Sequence, residues 1–221
     1  MTQPLISIVV ACHGNAQELT CLLSSLHNQK RYVTGPHSVT GVPVPHSKCV
    51  AWGKEFPGVE VILSFDGRCH TGDFCTGILY DGGFQYKEIE NEKLGGVGHH
   101  TRGPGIEAAT GKWVTCQNMD HQFTLGWLDQ IYPHLIDESV GMVYTNCINN
   151  LWAWTDFGGS KLKRGGFDLS CAIVRSEIAK EVGWPWSNYD SDFDWINACA
   201  VIVNRLKLKL IHVPKALVIH N

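Results

Sequence analysis

The chain has 221 residues, 44% hydrophobic and 18% charged, with a formal net charge of −3. That length and apolar content suit one compact domain with a substantial core. Slight acidity without any block of like charge excludes the electrostatic footprint of a nucleic-acid or anionic-membrane binder. Lys161, Lys163 and Arg164 form only a small cluster, read as a solvated loop. The nine cysteines are scattered and contain no CxxC pair. They fit neither a disulfide framework nor a zinc motif and read as reduced, mostly buried thiols of a cytoplasmic protein. Met1 to Pro4 carries no basic segment, and no apolar run reaches the length of a signal core with its flanks or of a membrane span.

Leu5 to Cys12 is apolar and β-branched and reads as a fully buried parallel strand, closed by a turn at His13-Gly14-Asn15. Ala16 to Asn28 sets Leu19, Leu22, Leu23 and Leu26 at helical spacing, so the chain opens as a βαβ unit. Lys30 to Pro57 has no clear period and forms a long connection. Val59 to Phe65 is a second strand ending in Asp66-Gly67, Cys69 to Gly77 a loop or short helix start, and Tyr86 to Ile89 a third strand. Gly95 to Gly98 opens a loop that runs into a helix over Thr101 to Ala109. Trp113 to Gln117 is the next strand, and Leu125 to Ile136 a helix with Leu128, Ile131, Tyr132 and Leu135 on one face. Val140 to Thr145 is a strand, and Asn149 to Arg164 is irregular and aromatic. Phe167 to Arg175 reads as a strand leading to Ser176, the expected cap of a helix over Glu177 to Val182. Asp192 to Arg205 is helical, and Leu208 to Val213 and Ala216 to His220 read as two strands separated by Pro214-Lys215. The alternation predicts an α/β fold with a mostly parallel sheet covered by helices on both faces.

In such a sheet, acidic groups at the carboxyl ends of strands lie where ligands bind. The small-residue turn Ala109-Thr110-Gly111 feeds a strand that ends in Gln117-Asn118-Met119-Asp120-His121, a cluster with a carboxylate, an amide and an imidazole. Asp66 follows a strand and is either a turn Asp or an acceptor for a ribose or base N–H. Gly96-Val97-Gly98 lacks the third glycine of a dinucleotide fingerprint in register. Arg102 is suited to a diphosphate or is a solvated surface side chain. His99, His100 and His121 match no compact zinc spacing, so a divalent ion held by few protein ligands plus phosphate oxygens fits better. Asp190, Asp192 and Asp194 crowd five residues. Either Asp190 and Ser191 cap a helix that starts at Asp192, or Asp192 is a general base beside a pocket.

The order of these pieces resembles the inverting family 2 glycosyltransferases, with their Rossmann-like GT-A fold, and covers nearly the whole chain. Ser7 to Asn15, including Ala11 and His13, resembles that family's nucleotide-binding strand, and Val61 to Gly67 its second strand ending in a base-contacting Asp, here Asp66. Arg102 through Trp113 resembles the helix and turn before the DxD strand, with Asn118-Met119-Asp120 in its place. Ser191 to Trp195 resembles the segment of the catalytic base, and His220 the tail histidine that completes the metal shell in some members. The resemblance implies one domain, with residues 1–121 as the nucleotide-sugar-binding half and 122–221 as the acceptor half.

It further implies transfer of a sugar from a nucleotide diphosphate sugar to a glycan or other hydroxyl acceptor, with inversion. Asp192 is then the catalytic base. Ala11, His13, Asp66, Arg102 and Asn118 contact the donor, and Asp120 with His220 binds Mn²⁺ or Mg²⁺. Asn118 departs from the family's first DxD aspartate, which removes one negative charge and lowers the expected metal affinity. Trp152, Trp154, Trp184 and Trp186 line the acceptor site or pack as core and lid. A non-catalytic sugar-nucleotide or glycan-binding module of the same fold, and a nucleotidyltransferase on a similar sheet, are the alternatives.

Overall fold

The first apolar run forms β1 (Ile6–Cys12), every residue of which is buried. The structure, a computed structural model, describes residues 3–13, 16–29, 58–67, 72–81, 84–149, 154–157, 167–185 and 191–221. The expected Lys30–Pro57 connection, the Lys161–Arg164 cluster, Trp152, Trp186 and Asp190 lie outside these residues. β2 (Val59–Asp66) and β4 (Trp113–Asn118) flank β1 on either side, and β3 (Gln85–Asn91) flanks β2, all in parallel.

The sheet continues with β8 (Ala172–Arg175), β6 (Val140–Asn149), β9 (Lys209–His220) and β5 (His121–Phe123), in the order β3-β2-β1-β4-β8-β6-β9-β5. Here the pairing is mixed: β8 runs antiparallel to β4 and β6, β9 parallel to β6, and β5 antiparallel to β9. β7 (Trp154–Phe157) adds to β6 within the stretch expected to be irregular.

Helices cover both faces, as the buried strands require. Ile6, Ile8 and Val10 of β1 face one core with α1 (Ala16–His27), α2 (Gly72–Asp81) and α4 (Trp127–Leu135). Val9 faces the other, with α3 (Arg102–Ala108), α5 (Ser176–Val182) and α6 (Ser191–Arg205). Two glycines allow the close approaches that fix the ligand edge. A Cβ on Gly105 would stand 2.3 Å from Val9 Cγ1, so α3 sits tight on β1. A Cβ on Gly111 would stand 2.7 Å from the Ser7 backbone nitrogen, which explains the small-residue turn before β4.

Several boundaries differ from the sequence reading, for local reasons. Lys209–His220 forms one strand because Val213 pairs with Thr145 and Ala216 with Asn146, so that Pro214-Lys215 bulges out of the ladder. The strand expected from Phe167 begins instead with a 3-10 turn, Leu169–Cys171, where the Asp168 side chain accepts from Ser170 N. Ser176 is the first residue of α5 rather than its side-chain cap, and its hydroxyl donates to Gly111 O at 2.5 Å.

Glu60 is the polar tie of this half. It is 2% exposed and accepts from Ser7 Oγ, Thr110 N and Thr110 Oγ1, with Lys87 Nζ at 2.8 Å. Burial opposes its ionisation, but the Lys87, Ser7 and Thr110 donors outweigh that and hold the carboxyl below its ordinary value. A depressed folded value contributes stability that is present above the ordinary pKa and is lost as pH falls through the folded one. Glu60→Gln is therefore expected to cost about 1–3 kcal/mol at neutral pH. Urea unfolding at pH 7 and at a series of lower pH values should show wild type losing stability progressively below the ordinary carboxyl range, with the variant lacking that loss. Equal losses in the two proteins would contradict this role.

Candidate functional site

The carboxyl ends of β1, β2 and β4 meet at the point where the chain switches from one side of β1 to the other, the ligand-binding crevice of an open α/β sheet. Ala11 lies in β1 in register with Ser64 and Asn118, and the His13 backbone N–H donates to Met119 Sδ at 3.1 Å. Asp66 closes β2. Its carboxylate accepts from Leu94 N at 2.8 Å and Gly95 N at 3.0 Å, and His100 Nε2 stands 3.3 Å away. Asp66 thus already anchors the turn after β3, and only the remainder of its acceptor capacity is open to a ligand.

Arg102 opens α3 and is 1% exposed. Its Nη1 donates to Asp192 Oδ1 at 2.9 Å and to His99 Nδ1 at 2.8 Å, and its Nη2 donates to Asn118 Oδ1 at 2.5 Å. The Trp184 ring covers the guanidinium at 5.1 Å. The sequence reading gave Arg102 a direct contact with diphosphate or base. Its two terminal nitrogens meet the protein's own acceptors, since a buried guanidinium needs an anion beside it, while its buried Nε–H makes no hydrogen bond among the described residues. Trp184, considered for acceptor stacking, is spent on that cation.

Asp192 sits in the first turn of α6, with 30% of its side chain exposed. Among the described residues its polar contacts fall on Oδ1, from Arg102 and at 3.4 Å from His99 Nδ1, and Oδ2 faces none of them. Ser191 beside it is fully buried, and Asp194 lies farther along the same helix.

Asn118 ends β4 and joins two clusters. Its Oδ1 accepts from Arg102, while its backbone N–H donates to His121 Nδ1 at 3.0 Å. With one lone pair of its amide oxygen turned to the cationic Arg102, Asn118 offers a ligand chiefly the Nδ2 donor, a group for hydroxyl or phosphate oxygens.

The second cluster is Asp120, His121, Asp168 and His220. Antiparallel pairing of β5 with β9 puts His121 opposite His220, their rings 4.6 Å apart. His220 Nδ1 donates to Asp168 Oδ2 at 2.8 Å, and its Nε2 stands 3.4 Å from Asp120 Oδ2. These bonds to Asp120 and Asp168 push the His220 pKa up to about 10. Burial opposes ionisation of Asp120 and Asp168. The adjoining histidines outweigh it in both, aided at Asp168 by Ser170, and both carboxyls titrate below their ordinary value. Burial pushes His121 down, toward the neutral form.

This cluster fits a divalent cation. Ligand atoms of Asp120, His121 and His220 lie within 4.8 Å of one another, and Asp120 Oδ1 is buried without a hydrogen-bond partner. Carboxylate oxygen with imidazole nitrogen is a donor set for Mn²⁺ more than for Mg²⁺. His121 is the weaker ligand, because accepting the Asn118 N–H at Nδ1 leaves the ring proton on Nε2. The structure therefore brings Asp120 to His220, and Arg102 to Asn118 and Asp192, while Asp66 stands apart with His100. Sequence reasoning gave Asp168 no site role. Asp168-x-Ser170 is a local turn pattern that carries no sign of a partner 52 residues away.

No family model and no curated protein matches the chain. Solved structures do. Residues 1–349 of S. aureus TarS match with a TM-score of 0.65 at 15% identity, covering 98% of this chain and 60% of that one. The same TarS segment is known in complex with UDP-GlcNAc. The mannosyltransferase PcManGT from Pyrobaculum calidifontis, in complex with GDP-Man and Mn²⁺, matches at 0.56 and 15% identity, over 99% of this chain and 57% of that one. Glucosyl-3-phosphoglycerate synthase from Mycobacterium tuberculosis matches at 0.53 and 11% identity, over 99% and 72%. The chain thus spans about 60% of the TarS segment. These likenesses show the fold, a GT-A α/β architecture. Among the described residues no helix is long and apolar enough to cross a membrane.

Removing the Arg102 guanidinium leaves Asp192 and Asn118 without their donor. Arg102→Met should lower the unfolding free energy by about 2–3 kcal/mol, less than for a fully buried pair because Asp192 is partly solvated. Arg102→Lys should recover only part of this, since one ammonium cannot span both acceptors as the fork does. Chemical unfolding of the two variants checks this, and wild-type stability of Arg102→Met would contradict it.

Proposed function

We propose that this domain transfers a sugar from a nucleoside diphosphate sugar to a hydroxyl acceptor with inversion. The observation that carries the reading is the linkage through Asn118. Asn118 accepts from Arg102, which holds Asp192, and donates to His121, the cross-strand partner of His220, so one residue bridges the two clusters at the crevice of a GT-A sheet. The complexes known for similar folds, UDP-GlcNAc on TarS and GDP-Man with Mn²⁺ on the mannosyltransferase, support this donor class and a divalent cation.

In this reading residues 1–121 hold the donor and 122–221 the acceptor, a glycan or another hydroxyl compound. Ala11, His13 and Asp66 line the nucleoside end, and the Asn118 amide donates to a ribose or phosphate oxygen. Asp120 and His220 hold Mn²⁺ or Mg²⁺, which when bound neutralises charge on the departing diphosphate. The buried His121 Nε2–H makes no hydrogen bond among the described residues, lies 3.7 Å from Asp120 Oδ1 and 3.9 Å from Asp168 Oδ1, and is a donor suited to a phosphate oxygen. Asp192 accepts the acceptor's proton at Oδ2 on the face of the sugar opposite the diphosphate, and so inverts the anomeric centre. Arg102 acts through Asp192: its ion pair fixes the carboxylate's rotamer. Free thiols at the described cysteines suit a reducing, cytoplasmic setting.

Asp192→Asn keeps the shape of the site and removes the proton acceptor. Turnover of a donor found by screening nucleotide sugars with Mn²⁺ should fall by about 10²–10⁴-fold while donor affinity is unchanged. Asp120→Ala should abolish the Mn²⁺-dependent part of nucleoside diphosphate binding in calorimetry. Full turnover by Asp192→Asn would remove it from the role of base. Binding of donors without release of nucleoside diphosphate, across the whole panel and with acceptors present, would favour a binding module.

A further inference from the structure

Asp168 belongs to neither cluster as the sequence presents them, yet the cation site is built around it. Resting on the reading of Asp120 and His220 as cation ligands, we infer that Asp168 is a positioning residue that sets the tautomer and orientation of His220. An ionised carboxylate only accepts hydrogen bonds, so the 2.8 Å contact fixes a proton on His220 Nδ1. In the neutral ring the lone pair is then on Nε2, the atom that stands 3.4 Å from Asp120 Oδ2.

Asp168 is itself held. Its Oδ1 accepts from Ser170 N at 2.9 Å and Ser170 Oγ at 2.5 Å, while Oδ2 serves His220 alone. The 3-10 turn thus locks the carboxylate, the carboxylate locks the imidazole, and the imidazole presents nitrogen to the cation position. His121 is the internal contrast. It occupies the same cross-strand pair, but its Nδ1 accepts a backbone N–H, so Nε2 carries the proton. Of the two histidines, the one that faces Asp168 through Nδ1 is the one able to ligate. A carboxylate behind the far nitrogen of a ligating histidine also raises its basicity.

Asp168→Asn separates this role from a structural one. The amide has the carboxylate's shape, and its oxygen stays with the two Ser170 donors. Its NH₂ then faces His220 Nδ1, which must accept, and the ring proton moves to Nε2 where a cation needs the lone pair. The experiment is calorimetric titration of Mn²⁺ alone into four proteins: wild type, Asp168→Asn, His220→Ala and the double variant, with thermal unfolding as a control. Expected are a loss of about 10–100-fold in Mn²⁺ affinity for Asp168→Asn, a lowered Tm from the lost ion pair with the protein still folded at the titration temperature, and no additional loss of affinity in the double variant over His220→Ala. Wild-type affinity in Asp168→Asn, or an undiminished effect of it in the His220→Ala background, would overturn the inference while leaving the cation site standing. Equal Mn²⁺ affinity in wild type and His220→Ala, or no binding by either, would overturn the cation site and this inference with it.

Discussion

A guanidinium buried to 1% exposure keeps its charge and must be met by acceptors, and the arrangement of this crevice follows from meeting Arg102. Arg102 opens a short helix packed hard against β1 through Gly105, so the position of the charge is set by the sheet. Its acceptors come from elsewhere: Asn118 from the end of β4, and Asp192 from α6, 90 residues along the chain. One buried cation needs one carboxylate, and Asp192 supplies it. An amide at position 118 adds an acceptor without a second negative charge competing for the same fork, which gives a physical reason for Asn where the resembling family has Asp.

The same amide accounts for the division between the two clusters. With its oxygen turned to Arg102, Asn118 leaves cation binding to Asp120 and His220, which the β5–β9 pairing draws together. Electrostatics distinguish the clusters. Around Arg102 the charges cancel within the protein. Around His220 there are two carboxylates and one imidazole held charged by them, with a buried Asp120 oxygen unpartnered, so negative charge remains for a cation to complete. Proton and cation compete for the same Nε2 lone pair, and cation binding there is coupled to proton release.

Where hydrophobic period and local turn chemistry decide, the sequence was legible. The buried runs of β1, β2 and β4, the leucine stripe of α1 and the small-residue turn at Gly111 read directly as elements, and with them the strand ends that carry Asp66 and Asn118. Tertiary pairing was not legible. The three-residue strand His121–Phe123 has no period to detect and exists because β9 offers it a ladder. The single strand across Pro214-Lys215 depends on a bulge against β6. Arg102 reads from sequence as a free phosphate ligand because nothing local announces Asp192, and Asp168 reads as a turn residue because His220 is far along the chain.

In the proposed function a divalent cation sits between Asp120 and His220 at the end of β4 and holds a nucleoside diphosphate there. The most direct measurement is anomalous diffraction from crystals of the protein grown with Mn²⁺ and a nucleoside diphosphate. The account predicts one anomalous peak bonded to an Asp120 carboxylate oxygen, to His220 Nε2 and to diphosphate oxygens, with Arg102 still on Asp192. Diphosphate bound in the crevice with no metal peak beside Asp120, or a metal bound elsewhere, would contradict it.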